Sequence, residues 1–204
     1  MTRSLLVLLA LTGIAHAGED SAVRATWARY RKAALAGDGV TAAHELAADT
    51  LRHYAELRTA ALVAPDIHGL PLADKLLVVR MRHELTVEEL AALDGPTLAA
   101  RMIARHWVDL NDGATLGAIH VHGDTAEAAL LGEAPIEPTL VFRREPSGWH
   151  LERLGESARR FAIQRERSGL SEDAFVLQTV GRATGRTVAV GVWKAPIEAR
   201  PRTR

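Results

Sequence analysis

The chain has 204 residues, with 25 Lys and Arg balanced by 25 Asp and Glu, and it contains no cysteine. That length suffices for one full domain with its own core. The charge balance argues against a nucleic-acid partner, which would call for a basic face. Without cysteine there is no disulfide framework and no thiol nucleophile.

The chain opens MTRSLLVLLALTGIAHA. One cation, Arg3, precedes an apolar run from Leu5 to Ile14, and Ala15-His16-Ala17 then supplies small residues at the −3 and −1 positions. This is the layout of a cleavable signal peptide, with the cut expected after Ala17. The competing reading is a buried N-terminal helix. The apolar run is shorter than the about 20 residues a membrane span needs, and no later segment is better, so no membrane span is expected. A lipid anchor would need a cysteine just after the leader. The Ala- and Arg-rich, Lys-poor composition suits a GC-rich bacterial genome, so the expected location is periplasmic or secreted. The core alone must then stabilise the exported chain.

Next come helices. Val23, Trp27, Tyr30 and Ala34 form one stripe over Ser21 to Ala36, ended by Gly37-Asp38-Gly39. A second helix is expected from Thr41 to Ala64, with Ala43, Leu46, Thr50, Tyr54, Leu57 and Ala61 facing inward. Pro65 to Pro71 is a loop. LADKLLVVRMRHEL is apolar on more than one face, as suits a helix buried between neighbours. Thr86 and Glu89 have capping-box spacing before a short helix, and Pro96 suits the first turn of another, running to about Trp107.

The period then changes. Ile119 and Val121 alternate with His120 and His122, and Gly123-Asp124 is a two-residue hairpin turn. That turn sets His122 opposite Thr125, Val121 opposite Ala126, His120 opposite Glu127 and Ile119 opposite Ala128. TLVFRRE and GWHLERL form a second hairpin around Glu145 to Gly148, with Phe142 opposite Leu151, Arg143 opposite His150 and Arg144 opposite Trp149. The expectation is an antiparallel meander with one apolar and one largely polar face. Ser171 caps a further helix and Gly185 ends it. TVAVGVW reads as a short strand.

Chemical motifs are sparse. His44-Glu45 and His83-Glu84 lack the second histidine of a zinc-protease helix, having Ala48 and Val87 there. Asp109 to Gly113 misses the calcium-loop spacing. His120, His122 and Glu127 resemble a two-histidine, one-carboxylate metal triad. The same three residues also read as a solvated sheet face with a cross-strand His120–Glu127 pair; that reading is preferred, and no metal is favoured. Tyr54 on an inward stripe needs a buried partner or a ligand. Arg80, in an apolar stretch, wants a carboxylate such as Asp49, Asp109 or a ligand's, or snorkels. His83 lies one turn on. Tyr54, Arg80 and His83 are thus the candidate ligand-pocket residues, and no catalytic set is assigned.

Three stretches, WARYRKAALAGDGVTAAHEL, VHGDTAEAAL and LVFRREPSGWHLE, resemble the nuclear transport factor 2-like superfamily, also called cystatin-like or SnoaL-like, over about residues 21 to 156. The resemblance implies an α+β cone: N-terminal helices, then a curved antiparallel sheet leaving a pocket at its open end. Residues 18–156 would form that domain, 157–198 a helical C-terminal extension, and 199–204 a disordered tail. Members include isomerases, dehydratases, epoxide hydrolases and non-catalytic binding domains. Those similar to ketosteroid isomerase use an aspartate base with a tyrosine and a protonated acid. Tyr54 could supply the donor here, but no aspartate matches the base, so that trio is not carried over. The expected function is an exported, non-catalytic domain that binds a small apolar or acidic ligand or a protein partner, with a homodimer open and no cofactor implied. A pocket enzyme of isomerase, dehydratase or hydrolase type and a metal-binding protein are the alternatives.

Overall fold

The computed structural model describes residues 4–107, 115–131, 139–153 and 156–197, with side chains from residue 18 onward apart from 156 and 157. The expected signal peptide, the Asp109 partner for Arg80 and the tail at 199–204 rest on residues or side chains outside that description.

The described residues are α+β, helices first and a sheet after them. Helix α1 runs Ser4–Leu35, α2 Gly39–His44, α3 Ala48–Val63, α4 Leu72–Glu84, α5 Val87–Ala92 and α6 Gly95–Ala104. Strands β1 (Thr115–His122), β2 (Thr125–Leu131), β3 (Thr139–Glu145) and β4 (Gly148–Glu152) follow, then α7 (Glu156–Ser168), α8 (Glu172–Thr184) and a 3-10 turn at Val190–Trp193. The sheet is an antiparallel meander in the order β1-β2-β3-β4. No helix among the described residues is long and apolar enough to cross a membrane.

The chain divides into two compact units, each made of two chain segments. One comprises residues 1–50 and 99–153, the other residues 51–98 and 154–204. In the first, α1 packs on α2, β1 and β4. The stripe Val23, Trp27, Tyr30 and Ala34 is buried, as are Ala126, Ala128, Phe142 and Leu151 on the apolar sheet face. Both hairpin registers follow from period-two alternation and turn placement: His122 pairs with Thr125, His120 with Glu127, Phe142 with Leu151 and Arg144 with Trp149. Gly39 is required on α2 because a Cβ there would lie 1.8 Å from the Ala100 carbonyl oxygen. In the second unit, α4 packs against α7, α8 and the 3-10 turn. It buries Leu76, Val78, Val79 and Met81. Thr86 and Glu89 close a capping box on α5, Ser171 caps α8, and Gly185 ends it in the left-handed region at φ 66°.

Two expectations are corrected. The helix read from Thr41 to Ala64 is broken between His44 and Ala48. There the backbone turns to pair with β4, Ala47 N–H donating to Leu151 O at 2.9 Å and Leu151 N–H to Glu45 O at 2.8 Å. Helical period survives the break, since Ala43, Leu46, Thr50, Tyr54, Leu57 and Ala61 are all buried. TVAVGVW is not a strand. Its second half coils into the 3-10 turn, whose last carbonyls are held by an arginine from α4.

Candidate functional site

An opening with convergent chemistry lies in the first unit, where α1 passes β1. Arg24, Ala28, Arg31 and Leu35 recur at three- and four-residue spacing on one stripe of α1, with Trp27 and Lys32 beside it. Together with Thr115 and Leu116 of β1 they line an open groove of about 290 Å³. Trp27 is 7% exposed and stacks on Tyr30 with ring centroids 5.9 Å apart, so the aromatic part of the wall is fixed by the core. Leu35, 40% exposed, leaves apolar surface at the far end.

Arg24 joins helix to strand. Its guanidinium donates to the carbonyls of Leu116 at 3.0 Å and Gly117 at 2.7 Å, and its Nε pairs with Asp20 at 3.2 Å. Those carbonyls are available because the β1–β2 register slips between Leu116 and Ile119, the kind of irregularity that frees backbone groups at a sheet edge. Among the described residues none of the lining side chains is acidic, while three are cationic. A groove of this kind holds an anion by Coulomb attraction and an apolar body by burial.

The sequence-predicted pocket residues lie in the second unit and do different work. Tyr54 is buried on α3 beside the His53 ring. Arg80 Nε donates to Glu84 Oε1 at 2.6 Å, one turn along α4, a carboxylate the sequence reading did not name. His83 Nε2 is buried and makes no hydrogen bond. The hard-working guanidinium is that of Arg82. It donates to the carbonyls of Ala60, Ala61 and Ala64, which end α3, and to Val192 and Trp193. These are orphan acceptors of helix ends. Burial lowers the Arg82 pKa from the ordinary guanidinium value, and it remains the donor throughout.

The candidate metal residues His120, His122 and Glu127 are all exposed, on the polar sheet face the register requires. Among the described residues no three His, Asp or Glu side chains are grouped so as to share a metal ion. On the same face Arg143 bonds Glu152 and Thr125, and the Glu152 contact raises the arginine's pKa.

Other titratable groups are tied into the scaffold. His53 Nε2 lies 3.0 Å from Asp74 Oδ1, and that hydrogen bond raises the imidazole pKa against the opposing pull of burial. Lys75, 2% exposed, pairs with Glu172 of α8. His68 sits between Asp66 and Asp173, 3.3 Å from the latter, and stacks on Trp193. Sequence reading missed Arg24, Arg31, Lys32 and Leu35. The signal was present as cations flanking Trp27 at helical spacing, on a face next to the core stripe. No family model, curated protein or solved structure matches the chain.

Proposed function

We propose that the chain is an exported, non-catalytic binding domain of the nuclear transport factor 2-like type, working in the periplasm or outside the cell. The observation that carries this reading is the cationic, tryptophan-walled groove between α1 and β1, open to a small molecule or to a segment of a protein partner. The order of helices followed by an antiparallel meander supports the family reading, and the A-x-A layout at Ala15 to Ala17 supports export. Native mass spectrometry of the mature protein, purified from the periplasm of its host, tests it. The expected result is a mass starting at Gly18 with an excess that disappears on denaturation. A full-length mass from Met1, or a monomer with no bound mass and no co-purifying partner, would contradict it.

A pocket enzyme is the second reading, on one observation. His83 Nε2 is buried without a hydrogen-bond partner, in the unit that also buries Tyr54. A buried nitrogen left without a partner calls for an explanation, and contact with a substrate is one. Turnover of any substrate that is abolished in His83→Gln protein of unchanged stability would put this reading first.

A further inference from the structure

We infer that the α1–β1 groove binds a monocarboxylate with an extended apolar body, of the medium-chain fatty-acid class. The inference rests on the binding-domain reading and names its ligand.

Three features select the class. First, shape: the lining stripe runs from Arg24 to Leu35, a rise of about 16 Å along the helix axis, which matches an extended chain of about a dozen carbons. The volume of about 290 Å³ falls near the lower bound of small-molecule sites, about 300–1,000 Å³. Second, polarity along the groove: Trp27, Ala28, Leu35 and Leu116 supply apolar wall, so the body of the ligand is the part that gains from burial. Third, charge: among the described residues the wall carries cations and no carboxylate. Arg24 already serves Asp20 and two backbone carbonyls. Lys32 is an exposed rim residue with no ion pair among the described residues. An ammonium on a flexible stem at the rim of an apolar trough is matched by one carboxylate whose tail lies along the trough.

The test is a titration of the mature chain with decanoate below its micelle concentration, with 1-decanol as the neutral comparison, followed by calorimetry. One saturable site is expected for decanoate, with affinity falling as salt is raised. Lys32→Glu should weaken it about tenfold or more, and Leu35→Asp likewise, at unchanged melting temperature. Arg159→Glu, on exposed α7 and away from the groove residues in the chain, should leave binding unchanged. The inference is overturned if decanoate does not saturate a site by about 1 mM, if 1-decanol binds as tightly, or if Lys32→Glu binds as well as the wild type. A bound mass on the native protein together with no decanoate binding removes this inference and leaves the binding-domain reading intact. A blank in both experiments removes both.

Discussion

Arg80 and Arg82 sit two positions apart on α4 and have unlike roles. Arg80 closes an ion pair within its own helix, whereas Arg82 spans five backbone carbonyls from two other elements. Arg82→Met keeps the stem and removes every donor, leaving part-buried acceptors unsatisfied. Its expected cost is about 2–4 kcal/mol, read by urea unfolding. His53 gives the fold a pH dependence. Its imidazole faces Asp74 at 3.0 Å and Glu56 at 4.0 Å, and its folded pKa is raised. A raised pKa contributes stability that is complete below the unfolded value, about 6.5, and is lost as pH climbs through the folded value. The melting temperature should therefore fall from about pH 6 to pH 8, and His53→Gln should flatten that slope. An unchanged slope in the variant would contradict the assignment. Composition could not have separated Arg80 from Arg82, because α4 is apolar on several faces and its period does not say which face meets which neighbour.

At the scale of elements, local chemistry was legible and distant chemistry was not. The Thr86–Glu89 box, the Ser171 cap and the Gly185 stop act within a few residues of the helix they bound, so sequence spacing reveals them. The hairpin registers were readable for the same reason: a two-residue turn and strict alternation leave one pairing that buries Ala126 and Ala128. The start of α3 is different. Its first N–H, that of Ala48, donates to the side chain of Glu145 at 2.8 Å, a residue 97 positions away on the second hairpin. That cap, with the Ala47 and Leu151 backbone pairing, explains a break that helical period alone runs straight through. Glu145→Ala should cost about 1 kcal/mol, the usual worth of an N-terminal cap, seen as earlier loss of amide protection in the first turn of α3. Unchanged protection there would show that the hairpin does not hold the helix start. TVAVGVW failed as a strand because its carbonyls are claimed by Arg82 instead of a ladder partner, which alternation cannot foresee.

For the whole molecule, most charge is spent on pairing: Lys75–Glu172, His53–Asp74 and His68–Asp173 in the second unit, Arg29–Glu45, Arg143–Glu152 and Arg144–Glu19 in the first. In the first unit α1 also presents Lys32 and Leu35 at the end of a trough walled by Trp27. The helices-then-sheet plan was readable from the change of period near Thr115, and the groove was not, because its cationic stripe on α1 meets a strand some 90 residues on at a register slip that no local pattern marks. Native mass spectrometry of wild-type and Lys32→Glu protein, purified in parallel from the same periplasm, tests the binding account most directly. The account expects a bound small molecule on the wild type that denaturation releases and that is depleted at least severalfold in the variant. The same bound mass on both proteins, or a clean mass on both, would contradict it.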